Sequence, residues 1–427
     1  MAAQFGRERR SDGAFAVAIS RRAVLQGGAA TAIAATSLGR VANVLAAPAI
    51  APFTYHAPES ALDDLRQRLA QARWPEREPV GDWSQGVPLA KLRALVDYWR
   101  TDYDWRRCEA TLNGFDQYRT AIDGLDIHFL HVRSPHADAL PILITHGWPG
   151  SVIEFFKIIG PLTDPAAHGG NAADSFHVVM PSLPGFGFSG KPAERGWNAQ
   201  RIAGAWAELM RRLGYSRYVA QGGDWGSVVT TEMARQRAAG LAGIHLNMPF
   251  VIPYPLPTEG LSVEEQRAVE AFQRFMSDGF GYFHLQATRP QTIGYALTDS
   301  PVGQAAWIYE KFHAWTDNDG DPEDALTRDE MLDVITLYWL TETAASSARM
   351  YLENAAVISA PPVIELPVGC SIFPREIVPA PRSWAERVYP NLIHWNELDR
   401  GGHFAAFEQP ALFTQELRDC FRSLRKN

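Results

Sequence analysis

Asp224 stands between two glycines in the run Val219-Ala220-Gln221-Gly222-Gly223-Asp224-Trp225-Gly226-Ser227. The apolar lead-in of Tyr218, Val219 and Ala220 predicts a short buried strand, and Ser227 to Ala239 predicts a helix. Strand, tight glycine turn, helix is the setting of a nucleophile elbow, where small neighbours let the backbone hold one reactive side chain in a strained conformation. The usual pattern carries serine at the centre; here a carboxylate takes its place. Aspartate is ionised at neutral pH, needs no base in order to attack, and suits displacement at a strained or activated sp3 carbon. A glycine-rich turn with an Asp capping the next helix also fits this stretch taken alone.

Two further groups give the carboxylate a chemical context. His403 lies in the glycine-rich loop Arg400-Gly401-Gly402-His403-Phe404, after the last strand-like segment and before the last helix. That place and the two freely rotating glycines single it out among 12 histidines. Glu376 follows the preceding strand, in Ile372-Phe373-Pro374-Arg375-Glu376, and Asp399 or Glu365 competes with it as the acid that orients the histidine. Nucleophile, acid, histidine is the chain order of an α/β-hydrolase triad.

The segments that must position these groups alternate. Pro141–Thr145, Phe176–Met180, the lead-in to Asp224, and Leu241–Asn247 read as strands, with helices near Ser151, over Arg201–Leu213 and after the elbow. Such alternation implies a mostly parallel sheet flanked by helices, an α/β fold. Before it, Tyr118–Ile122 and Ile127–Val132 flank Asp123-Gly124 as a hairpin. His128 and His131 then face opposite sides of a strand and cannot share a metal. Residues 50–116 predict a helical, tryptophan-rich module, with Ser60 as N-cap of a first helix and a second helix over Leu89–Arg100. The core runs over 117–249 and resumes over 361–427, with strands at Pro362–Gly369 and Asn391–Asn396 and a closing helix from Pro410. Between them, 250–360 reads as a helical lid. Its acidic loop Asp317–Asp324 has Pro322 where a calcium loop requires glycine, so it reads as a solvated loop.

Composition narrows the function classes. The chain has 427 residues, is 46% hydrophobic and carries a net charge of −8, which fits a well-cored globular protein and argues against a basic nucleic-acid surface. Cys108, Cys370 and Cys420 are scattered and form neither a zinc nor a disulfide framework. Residues 1–49 stand apart. Ser20-Arg21-Arg22-Ala23-Val24-Leu25-Gln26 is similar to a twin-arginine export signal, followed by a weakly apolar stretch and Ala-rich cleavage sites near Ala47. The expectation is an exported protein without a stable membrane anchor, since Arg40 ends the apolar run short of the ~20 residues a span needs. An uncleaved, membrane-associated segment is the alternative.

From Phe53 to the C-terminus the chain resembles the epoxide hydrolases of the microsomal and juvenile-hormone type. The resemblance rests on His146-Gly-Trp-Pro-Gly150, Gly222-Gly-Asp-Trp-Gly226, Gly281-Tyr282-Phe-His-Leu-Gln286, Asp299-Ser-Pro-Val-Gly303 and Arg400-Gly-Gly-His-Phe-Ala-Ala-Phe-Glu408, which are specific together. It implies an α/β-hydrolase fold with the amino-terminal module that marks this branch. It also implies Asp224 as nucleophile, His403 as base and Glu376 as its orienting acid, with Tyr282 and Tyr351 as lid tyrosines on the epoxide oxygen. The backbone N–H groups of Trp148 and Trp225 would form the oxyanion hole. The substrate would be a small-molecule epoxide, the product a vicinal diol formed through an aspartyl ester, and no metal or cofactor would be needed. An export-like leader departs from that family, whose members start with a membrane-anchoring segment or none.

Two rivals remain from the residues. A haloalkane dehalogenase also uses an elbow Asp followed by Trp, but a halide needs N–H donors rather than phenols. A silent α/β-hydrolase serving as a binding protein would usually lack one triad member, and none is missing.

Overall fold

The computed structural model describes residues 49–355 and 363–425. The twin-arginine-like segment Ser20–Gln26 lies outside the described residues. Within them nine strands form one sheet: β1 (Ala51–Pro52), β2 (Gln117–Ile122), β3 (Leu125–Val132), β4 (Leu140–Thr145), β5 (Phe176–Pro181), β6 (Tyr218–Gly222), β7 (Leu241–Leu246), β8 (Val368–Ile372) and β9 (Leu392–Glu397). Their spatial order is β1-β2-β3-β5-β4-β6-β7-β8-β9, antiparallel as far as the β3–β5 pair and parallel from β5 to β9.

The inner strands are largely apolar because helices cover both faces. Ile142, Leu143 and Ile144 of β4 and Val219 and Ala220 of β6 are fully buried. The helix Ala199–Arg212 packs Ile202, Trp206 and Leu209 inward; Asn198 caps it by accepting from Arg201 N, and Trp206 Nε1 donates to Thr145 Oγ1 at 3.2 Å. The hairpin forms around Asp123 and Gly124, both at positive φ, as a two-residue primed turn requires. His128 is a core histidine between Ser182 Oγ and Gln117 Oε1, and His131 meets the Tyr215 hydroxyl.

The chain leaves β4 toward β5 on one side and reaches β6 on the other, so the β4–β6 junction is where strand order reverses. Ligand sites in such sheets lie beyond the carboxyl ends of the strands at this switch point. Thr145 pairs with Gly222 there, which sets the loop after β4 directly beside the elbow after β6.

Above these strand ends lie the helices Val263–Arg274, Gly281–Thr288, Pro290–Asp299, Pro301–Trp315, Arg328–Leu340 and Ala344–Glu353. Capping boxes at Ser262/Glu265 and Thr327/Glu330 start two of them. The amino-terminal helices buttress this layer: Trp99 Nε1 donates to Thr336 Oγ1 at 2.9 Å, and Tyr103 and Arg107 both bond Asp333. Trp83 stacks on His313 with ring centroids 3.8 Å apart. No helix among the described residues is long and apolar enough to cross a membrane.

Two expectations need correction. The first helix begins at Glu59 after Pro58, so Ser60 lies inside it and caps nothing; Pro58 has no side-chain acceptor, and its fixed φ sets the start instead. The strand placed at Pro362–Gly369 instead spans Val368–Ile372. Pro367 contributes only its carbonyl, which accepts from Ile244 N, so parallel pairing starts after it and carries the chain onward toward Glu376.

Candidate active site

Asp224 sits at φ 50° and ψ −128°, between β6 and the helix Trp225–Arg235. A side chain held at positive φ costs about 1–3 kcal/mol and persists only where the surroundings impose it. The glycines show how. A Cβ at Gly226 would lie 1.9 Å from Thr145 O, and one at Gly222 would lie 2.1 Å from Gly226 O. Only bare backbone lets the turn close this tightly against β4.

The turn aims the carboxylate at the loop after β4. Trp148 N donates to Asp224 Oδ1 at 2.8 Å, and the N–H groups of Trp148 and Trp225 both favour the charged form. Burial works against them and wins, leaving the carboxyl above its ordinary range despite His403 nearby. His403 Nε2 lies 3.6 Å from the other oxygen, Oδ2.

His403 comes from the loop after β9, and its N–H donates to Trp315 O at the end of a lid helix. Its Nδ1 meets Glu376 Oε1 at 2.7 Å. That oxygen also accepts from Ile377 N, while Oε2 has no partner among the described residues. Burial opposes a charged imidazole, but the charge and hydrogen bond of Glu376, with Asp224 and Glu154 beyond, outweigh it and lift His403 to about 9. The competitors for the acid are elsewhere: Glu365 is exposed and paired with Arg237, and Asp399 is exposed.

The lid supplies the phenols. Tyr282 and Tyr351 are buried with centroids 5.7 Å apart; Tyr282 stacks on Trp148 at 5.2 Å, and Tyr351 meets Trp225 edge-on at 4.9 Å. Burial first, then nearby negative charge including Asp224, holds both well above the usual phenol range, so both carry their protons. The Tyr351 hydroxyl has no hydrogen-bond partner among the described residues. An unpaired buried hydroxyl costs about 1–3 kcal/mol, which a bound oxygen acceptor would offset. With Asp224, Tyr282 and Tyr351 line a cavity of about 340 Å³ whose other walls include Phe250, Leu256, Phe272 and Phe283.

Thus Asp224, His403, Glu376, Tyr282, Tyr351, Trp148 and Trp225 converge on one place, from the ends of four parallel strands and two lid helices. The family profile described as "Epoxide hydrolase N terminus" matches residues 50–155, and that described as "alpha/beta hydrolase fold" matches 141–291. A putative epoxide hydrolase of Stigmatella aurantiaca is 68% identical over 376 residues, covering 88% of this chain and 86% of that protein. This chain belongs to the epoxide hydrolase family. Epoxide hydrolase 1 of Sus scrofa is 38% identical over 398 residues, covering 86% of this chain and 88% of that protein. Among solved structures, the Aspergillus niger epoxide hydrolase superposes with a TM-score of 0.79 at 33% identity, over 88% of this chain and 96% of that one. The juvenile hormone epoxide hydrolase of Bombyx mori gives 0.80 at 30%, over 89% and 96%. The expected fold and epoxide hydrolase function are borne out.

Two features of this epoxide hydrolase escaped the sequence. The acidic loop is not wholly solvated: Asp317 Oδ2 accepts from Gly401 N at 2.7 Å, and Asp317 N donates to Glu408, which also accepts from Phe404 N. The loop therefore holds the backbone ahead of His403 directly, and the residue after it through Glu408. Lys311, buried beside Glu310, places Nζ 4.4 Å from the Tyr282 ring centroid. Helical spacing signals neither, because the partners come from remote segments.

Proposed function

We propose that Asp224 opens the epoxide by direct attack. With Oδ1 engaged by Trp148 N–H, Oδ2 is the free nucleophilic oxygen, and the buried phenols of Tyr282 and Tyr351 donate to the ring oxygen as its C–O bond breaks. One phenol gives up its proton, and the product is a hydroxyalkyl ester of Asp224. Its carbonyl oxygen is Oδ1, already beside the oxyanion donors. Water, deprotonated by His403 with Glu376 holding Nδ1, then attacks the ester carbon and releases the diol. The observation that carries this reading is Asp224 itself, held at positive φ with one oxygen on Trp148 N and the other facing His403.

The test is a single turnover in heavy-oxygen water. The incoming oxygen should appear in Asp224 and the diol should carry a carboxylate oxygen; label passing straight into the diol would mean direct hydration and defeat the ester.

We further propose export through the arginine pair, supported by Ser20–Gln26 and the weakly apolar stretch behind it. Replacing Arg21 and Arg22 together with Lys should hold a longer precursor in the cytoplasm. Normal export of that variant would remove the claim.

A further inference from the structure

Two cavities share Asp224 as a wall. The larger is the apolar one with both tyrosines. The smaller, about 30 Å³, is lined by Trp148, Glu154, Gln221, Asn247 and His403, and neither tyrosine reaches it. A polar cavity holds a water once it offers roughly 10–15 Å³ and two or more hydrogen-bond partners. Gln221 Nε2 donates to Asn247 Oδ1 at 2.8 Å, while Gln221 Oε1, buried, has no partner among the described residues.

Glu154 is the unexplained group in this cavity. Its carboxyl folds back over the turn after β4, so closely that a Cβ at Gly150 would lie 2.2 Å from Oε2. No hydrogen bond or ion pair holds that carboxyl among the described residues; it senses only burial and the charges of His403 and Asp224. Burial pushes it up to about 8, with His403 pulling the other way, so near neutrality it is a protonated acid with a free acceptor oxygen. Ring opening, on the tyrosine side of Asp224, makes no use of it.

We infer that the small cavity is the seat of the hydrolytic water and that Glu154 positions it, accepting one water hydrogen while His403 Nε2 takes the other. This rests on the ester mechanism proposed above. The water oxygen is then left with a lone pair directed at the ester carbon of Asp224. As the O–C bond forms, the water's proton passes to His403 and the carbonyl electron pair moves onto Oδ1. Collapse breaks the bond to the diol oxygen, which takes the proton from His403. Asp224 emerges as a carboxylic acid and returns its proton to His403, whose resting proton had passed to the phenolate left by ring opening before the water was activated. Glu154 keeps its own proton throughout.

The test separates the half-reactions in Glu154→Gln, Glu154→Asp and Glu154→Leu by single-turnover kinetics. Alkylation should stay near the wild-type rate in all three. A 1 Å misplacement of a reacting group costs about 100-fold, so hydrolysis should fall by that order in Glu154→Leu, by roughly 10-fold in Glu154→Asp, and little in Glu154→Gln, which keeps the acceptor in place. The ester should accumulate in the same order. Unchanged hydrolysis in the Leu variant, a Gln variant no better than Asp, or a parallel loss of both half-reactions overturns the assignment. If the Leu variant does not fold, the order of Gln over Asp decides alone. Failure of the ester mechanism itself would give a different result: no adduct at Asp224 in any variant.

Discussion

Nε2 of His403 lies 3.6 Å from Oδ2 of Asp224, outside hydrogen-bonding range, while its Nδ1 is tied to Glu376 at 2.7 Å. The imidazole is thus fixed from behind and faces the Asp224 carboxylate across a gap. In the resting enzyme the imidazole, held up against burial at about 9, chiefly by Glu376, carries a proton near neutrality. On the proposed mechanism, esterification removes the charge of Asp224, and with it one of the influences that raise His403, so the imidazole becomes a better proton acceptor only after alkylation.

His403→Gln should therefore leave alkylation within an order of magnitude of wild type and stop hydrolysis. The protein would accumulate with a mass increase equal to one substrate, located on Asp224 by peptide mapping. Loss of a general base costs about 10²–10⁴-fold, and Glu376→Gln, which weakens the base without removing it, should fall short of that. A His403 variant that turns over without trapping ester would reassign the base.

The same pairing has a signature in stability. His403 is lifted from 6.5 to about 9 in the folded protein, so the native state binds a proton more tightly than the unfolded chain. That stabilisation is fully present below pH 6.5 and is lost as pH rises through about 9. At about 1.4 kcal/mol per pH unit, the group contributes roughly 3 kcal/mol across this window. Urea unfolding from pH 6 to 10 should show wild-type stability declining, with a shallower decline in His403→Gln. Equal slopes would mean that the imidazole is not charged in the resting site.

How much of this could be read from the chain depended on whether the information was local. The elbow was legible because its glycines and Asp224 are adjacent, and because β6 and the following helix are short-range elements. His403 was legible from its place after the last strand. Glu376 was not separable from Glu365 or Asp399 by pattern: all three flank strand ends, and only the fold turns one of them inward while the others stay in water. Glu154 and Asp317 lay further from reach. Glu154 has the pattern of an ordinary helix start, and matters because Gly150 leaves room for its carboxyl in a cavity shared with the distant His403. Asp317 belongs to what reads as a solvated acidic run, and matters because Gly401 N lands on it across 84 positions. Periodicity records which face of an element is buried, but not which remote loop will meet it. The Pro362–Gly369 expectation failed for a related reason, since apolar content alone does not say where a proline forbids ladder pairing to begin.

The tyrosines carry the complementary prediction. Ring strain drives epoxide opening, yet the departing oxygen is a strong base and must be met by a proton or hydrogen bonds. Tyr282 and Tyr351 are placed for this inside the apolar cavity, and both stay protonated because burial and the charge of Asp224 oppose phenolate. Each is held by an indole, Tyr282 stacked on Trp148 and Tyr351 edge-on to Trp225, so removing a hydroxyl should leave ring packing intact. Losing one such donor typically costs about 10²–10³-fold in a buried site. Tyr282→Phe and Tyr351→Phe should each slow alkylation by that order with the fold unchanged by circular dichroism, since the remaining phenol still reaches the oxygen. The double variant should form no measurable ester with an unactivated epoxide, the reverse of His403→Gln. Adding His403→Gln to the double variant should trap no ester either, because ring opening precedes any step that His403 performs. Rapid ester formation in the double variant would show that the epoxide oxygen leaves without these phenols, and the lid would then act only as an apolar cover.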